Sequence, residues 1–280
     1  MLNKSLIRAA SPFLVGGAIA IAMSATVAAP LRVRVNRWLE VRQAVGNVVY
    51  QKGNSRRPAR VGTKLQSVGE HLRTGARSRA VLAVDTGIGF VNVSANTNLR
   101  VQQLQTARDG GRITRLQVLS GQAQLRVRKF TNRSSRLEIQ TPAGISGVRG
   151  TQFGVSVDPT GKTGVATLEG SVVAQAQGRS VPVNAGFQSL IVKGEPPSPP
   201  VPLRDDTRLD IQRLVSESDG VGRMAGRVDP VNLLVINDRP QAVDRAGRFD
   251  LRVPLTAQRR IVATVVTPLG KQQVYELVIP

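Results

Sequence analysis

Gln122–Arg128 reads QAQLRVR, with Ala123, Leu125 and Val127 on one side of an extended chain and Gln122, Gln124, Arg126 and Arg128 on the other. Apolar residues two apart give a strand one buried and one wet face. The alternation returns in Gln152–Asp158 through Phe153, Val155 and Val157, and in Leu137 and Ile139 between Glu138 and Gln140. No helical period is sustained from about Val41 to Val192, and glycine interrupts the pattern about every ten residues. These features predict short strands stacked as a wound structure, barrel or sandwich. A loose repeat supports similar stacked units. Val118-Leu119-Ser120-Gly121-Gln122-Ala123 resembles Thr167-Leu168-Glu169-Gly170-Ser171-Val172, and Gly46-Asn47-Val48 is a third candidate copy. Each copy predicts a strand–glycine–strand corner.

The pattern breaks at Glu195–Leu203, EPPSPPVPL, where five of nine residues are Pro. Such a stretch suits a semi-rigid polyproline II spacer. Beyond it, Ile211, Leu214 and Val215 have i, i+3, i+4 spacing, so Asp205–Ser218 is expected to hold a short helix capped by Asp205 or Asp206. From Val221 to Pro280 strands return in LLVIN, RFDLRV, IVATVV and VYELVI, with turns at Ala246-Gly247 and Leu269-Gly270. The expected fold is all-β throughout: a wound or sandwich domain over 38–193, a Pro-rich linker with a short helix over 194–220, and a small β-sandwich over 221–280.

Charge is the next constraint. Of 280 residues, 39 are Lys or Arg and 18 are Asp or Glu, a formal net charge of +21. The alternating strands give these arginines a place on outward positions. The cations read as spread along the chain rather than clustered, and aromatics are 3%, too few for a base-stacking platform. Nucleic acid is therefore a poor partner. An acidic polysaccharide or lipid headgroups would suit the charge better, and a merely solvated basic surface is the plainer account.

Residues 1–28 have the order of a secretory signal: Lys4 and Arg8, an apolar run Phe13–Met23, then Ser24 to Ala29. Cleavage after Ala28 is expected. An uncleaved anchor is the alternative, because the apolar stretch reaches 18 residues when counted from Pro12 to Ala29. The expected location is the periplasm, the cell envelope or the medium.

Chemistry is narrowed by what the chain lacks. It has no Cys and one His, so thiolate nucleophiles, thiolate zinc sites and two-His metal motifs are closed. His71 reads as a surface loop residue. Gly161-Lys162-Thr163 resembles the end of a phosphate loop, but position 156 is Ser where the motif needs Gly, and Asp158-Pro159-Thr160-Gly161 reads as a hairpin turn. No catalytic residue, cofactor or metal site is predicted.

Four segments, in order, resemble the FecR domain family. They are Val61-Gly62 through Gly69-Glu70-His71-Leu72-Arg73-Thr74-Gly75 to Asp85, then Asn96–Val101, then Thr141-Pro142-Ala143-Gly144-Ile145-Ser146-Gly147-Val148-Arg149-Gly150-Thr151-Gln152-Phe153, and last Thr167–Val172. The resemblance implies an exported β-rich domain, with Gly147, Arg149, Gly150 and Thr151 as family-motif residues. Glycines 144, 147 and 150 are expected to supply positive φ or close backbone approach; a positive φ at Gly147 would make Gly147→Val destabilising. Arg149, flanked by Gly147 and Gly150, is either a ligand contact or a brace for its turn. The name member of the family senses a loaded outer-membrane receptor and controls a cytoplasmic sigma factor. Here only twelve residues precede the apolar run, which argues against that role. The last sixty residues loosely resemble a bacterial Ig-like module. The expected function is a non-catalytic envelope protein that binds a partner protein or glycan as a scaffold or sensor. The alternatives are a membrane-anchored FecR-type signalling regulator, a polyanion attachment protein and an accessory module of an envelope hydrolase.

Overall fold

The structure, a computed structural model, describes residues 37–279 except 86, 149, 219 and 256–258. The predicted signal segment lies outside the described residues. Two sets of strands follow one another, and the described residues cluster as one compact unit.

The first set runs β1 (Leu39–Val45), β2 (Val48–Lys52), β3 (Ser55–Pro58), β4 (Lys64–Leu65), β5 (His71–Thr74), β6 (Arg79–Val84), β7 (Gly89–Val93), β8 (Asn98–Thr106) and β9 (Arg112–Val127). It continues with β10 (Arg136–Gln140), β11 (Ile145–Val148), β12 (Gln152–Val157), β13 (Thr163–Glu169), β14 (Ser171–Ala176), β15 (Arg179–Asn184), β16 (Phe187–Ile191) and β17 (Val201–Pro202). These strands form two layers. The first layer has the order β4-β1-β6-β7-β9-β12-β13-β16-β17. The second has the order β3-β2-β5-β8-β9-β10-β11-β14-β15. Only β9–β10 is parallel among these pairings. Both layers advance with the sequence, so the chain winds from one to the other as it proceeds.

One apolar core lies between the layers. Leu39, Leu82, Leu125 and Phe153 come from the first layer and Leu72, Leu99, Leu116 and Ile139 from the second, all fully buried. Ala123, Leu125 and Val127 point into it while Arg126 and Arg128 face outward, as the alternation predicts. The three repeated glycines sit where the chain changes layer. Gly46 (φ 77°) joins β1 to β2, Gly121 (φ 90°) bends β9, and Gly170 (φ 78°) joins β13 to β14. At Gly121 a Cβ would stand 2.5 Å from Thr97 Cα, so the corner excludes any side chain.

The second set comprises β18 (Asp210–Ser218), β19 (Val221–Arg227), β20 (Leu233–Ile236), β21 (Arg239–Gln241), β22 (Arg248–Pro254), β23 (Arg260–Val266) and β24 (Gln272–Val278). Two sheets, β18-β19-β22 and β21-β20-β23-β24, enclose a second core of Met224, Leu234, Ile236, Phe249, Ile261 and Val265.

The expected helix over Asp205–Ser218 is not there. Asp210–Ser218 is a strand paired with β19. The register shifts between Ile211 and Arg213, and such a bulge adds one residue to one strand of the pair. Ile211 and Leu214, three apart, therefore share the core-facing side, which imitates helical spacing. The Pro-rich stretch is not a free spacer either. Val201 and Pro202 pair with Gln188 and Phe187 as an edge strand, where proline's missing N–H costs nothing. Ser198 N donates to Leu190 O at 2.8 Å.

Candidate functional site

The outer face of the first layer is split between a covered and an open part. The alternation predicts that Gly154, Ser156 and Gln122 face water. They are buried instead, because loops of the C-terminal set land on them. Gln122 Nε2 donates to Pro268 O at 2.6 Å, and the Ser156 hydroxyl donates to Val231 O. Gln188 Nε2 donates to the Asp229 carboxylate at 3.1 Å. Small residues make this approach feasible: a Cβ at Gly154 would stand 1.8 Å from Pro268 O, and one at Gly164 would stand 2.4 Å from Val231 O. The linker ties both sides together. Asn232 Nδ2 donates to Asp206 O at 2.7 Å, and the Thr267 hydroxyl donates to Asp205 Oδ1 at 2.6 Å. The expected helix caps are thus docking residues.

Gly161-Lys162-Thr163 belongs to the same contact. Asp158 and Gly161 close the hairpin through Gly161 N donating to Asp158 O at 3.0 Å. Lys162 is buried; its Nζ lies 3.8 Å from Asp158 Oδ2 and donates to Asp244 O at 3.2 Å. Burial pulls the ammonium below the ordinary lysine value, and the charge of Asp158 opposes that fall. The amine therefore braces the seated module rather than standing free for phosphate.

Beyond the covered part, Val81, Phe90, Asn92, Gln124, Arg126 and Gln152 line a shallow open groove of about 310 Å³. Arg126 Nη2 donates to Gln152 Oε1 at 3.1 Å, and Asn92 Nδ2 donates to Gln124 Oε1 at 3.3 Å. Phe90 is half exposed above them.

The outer face of the second layer is different. The outward positions of its strands carry Arg56, Arg73, Arg100 and Arg115, and Glu138 is the only carboxylate on these strands. The cations are therefore less evenly distributed than their spacing along the chain suggests. Arg115 and Arg136 consume Glu138, at 2.5 and 3.0 Å. His71 lies on β5 rather than in a loop, half-buried, with Nδ1 3.1 Å from Asn98 Oδ1.

The family-motif residues fall at the junction of β11 and β12. Gly150 has φ 124°, and a Cβ there would stand 2.4 Å from Lys129 Cα. Gly144 fits by close approach, since its Cβ would stand 2.5 Å from Gln175 O. Gly147 differs from expectation. It lies within β11 opposite Glu138 and Val173, has no positive φ, and an added Cβ would meet only Glu138 Cγ at 4.0 Å. Pairing on both sides holds it extended, so the bend falls at Gly150. Gly147→Val is expected to change stability by under about 0.5 kcal/mol, whereas Gly150→Val costs about 1–3 kcal/mol in backbone strain; thermal melts of the two variants check the contrast. Thr151 is buried, and its main-chain oxygen accepts from Val127 N at 2.9 Å. Arg149 lies outside the described residues. Among the described residues no cluster of His and acidic side chains could hold a metal, and no helix is long and apolar enough to cross a membrane.

The model of the family described as FecR protein matches residues 70–173, from β5 into β14. Two crystal structures of a candidate anti-sigma factor from Parabacteroides distasonis ATCC 8503 are similar at 13% identity and a TM-score of 0.39, over 47% of this chain and 59% of theirs. This chain thus spans about three fifths of their length. A polysaccharide lyase aligns at 11% identity and a TM-score of 0.20, over 87% of this chain and 40% of its own. No curated protein matches.

Proposed function

We propose that this chain, which carries a FecR domain over residues 70–173, is a non-catalytic binding scaffold of the cell envelope. The carrying observation is the division of surface. A C-terminal module is seated on one layer through Gln122, Ser156 and Gln188, while the other layer keeps a continuous, carboxylate-poor outer face. A rigid body with one face committed to its own module and one left open is suited to holding a ligand in place. The test is retention on an envelope fraction, with the bound glycan sized before and after. Retention with unchanged glycan length supports the scaffold. Shortened glycan contradicts it.

The FecR match also favours a signalling regulator held in the membrane by its N-terminal segment. The two readings part at residues 1–28. Loss of this segment from the exported protein, read by intact mass, supports the free scaffold. Its retention supports the anchored regulator.

A further inference from the structure

We infer that the outer face of the second layer, centred on Arg73 and Arg100, binds the carboxylate groups of an acidic polysaccharide; this rests on the scaffold reading above. Register sets the side chains in a row across five strands. Gln51 pairs with His71, His71 with Arg100, Arg100 with Gln117, and Gln117 with Gln140. Neighbouring strands are about 4.8 Å apart, so the row spans about 19 Å. Arg73 stands beside it, opposite Asn98.

The two guanidiniums are diagonal neighbours on paired strands, a separation of about 7–8 Å at the backbone. Among the described residues neither has an ion pair, although most of the acidic side chains elsewhere do. Each also keeps a buried Nε without a hydrogen-bond partner. A buried donor left unmade is costly, and two uncompensated like charges side by side add to the cost. An oxyanion laid against the guanidinium ends would offset the like charges, because a guanidinium fork matches a carboxylate.

The rest of the row selects the kind of anion carrier. Amides of Gln117 and Gln140 and the imidazole of His71 can donate to and accept from sugar hydroxyls. Gln102 Nε2 donates to Gln117 Oε1 at 2.6 Å, which fixes the central amide. The row has no Phe, Tyr or Trp, and a single imidazole, His71, does not make a platform for successive bases. The row itself has no apolar side chain to enter a bilayer; of the exposed apolar residues nearby, Val68 stands alone before β5 and Val173 lies away on β14.

Binding of the whole protein to polygalacturonate, dextran, phosphatidylglycerol vesicles and duplex DNA tests the inference. Two double variants of equal charge change are compared, Arg73→Gln/Arg100→Gln on this face and Arg126→Gln/Arg128→Gln on the other layer. The expected result is binding to polygalacturonate that weakens with salt, no binding to dextran, and tighter binding to polygalacturonate than to vesicles or DNA. The first double variant is expected to lose at least tenfold in affinity with its melting temperature kept, and the second less than twofold. Equal losses in both variants would reduce the attraction to net charge and overturn the inference. Tighter binding to vesicles or DNA would overturn it in favour of that partner. Retention on the envelope fraction without any polygalacturonate binding sinks this inference but leaves the scaffold reading standing. Depolymerisation of the polygalacturonate removes both.

Discussion

Arg37→Ala lowers stability by about 3–5 kcal/mol, the usual cost of leaving one member of a buried ion pair alone. At about 2–4 °C per kcal/mol for a chain of this size, the melting temperature falls by roughly 6–20 °C. The reason is the saturation of one guanidinium. Arg37 Nε and Nη2 donate to Asp85 Oδ2 at 2.9 and 2.6 Å, Nη1 donates to Gln105 O and Ile113 O at 2.6 Å each, and Nη2 reaches the Thr114 hydroxyl at 2.6 Å. Asp85 follows β6 in the first layer, while Gln105 and the 113–114 pair belong to β8 and β9 in the second. The side chain thus clamps the two layers at one end. Its removal leaves Asp85 buried with its charge uncompensated. Replacing both, as Arg37→Met/Asp85→Leu, is expected to cost less than either single change. A double-mutant cycle from chemical denaturation checks this.

Gly154→Leu has the second large effect, and a different signature. The new side chain cannot coexist with the Pro268 carbonyl, which is main chain and has no rotamer to change. Overpacking of about 1–3 kcal/mol adds to two displaced hydrogen bonds, Gln122 to Pro268 and Ser156 to Val231, at about 0.5–1.5 kcal/mol each. The expected result is an unseated C-terminal module: two unfolding transitions in place of one, with rapid proteolysis between residues 194 and 209. A single transition shifted by less than a degree would mean that the module does not rest on Gly154.

The two-layer body was largely legible because its signal is local. Period two in Gln122–Arg128 and the recurring glycine corners follow from the pleat and from positive φ, and neither needs a distant partner to be recognised. What was hidden depends on residues far apart in the chain. Arg37 sits in no periodic run, so nothing nearby marks it as buried. Gly154 and Ser156 look like a wet strand face until residues 231 and 268 arrive. The bulge after Ile211 shows the reverse failure, a local pattern whose helical period was an accident of one extra strand residue. The candidate site was half legible. The excess of arginine was visible, and the FecR resemblance marked the region; the concentration of unpaired cations on one layer required the strand register. Among the motif residues, Gly150 has the positive φ expected of a glycine there and Gly147 does not.

The account depends most on one layer being covered and the other open, and the absence of cysteine lets single thiols report on this without background. Ser156→Cys and Gln117→Cys place a thiol on each outer face. Reaction with a soluble thiol reagent is predicted to be slow at 156 and fast at 117, with rates at least a hundredfold apart, about 2.7 kcal/mol of local opening. Equal rates at the two positions would contradict the seated module and the division of faces that follows from it.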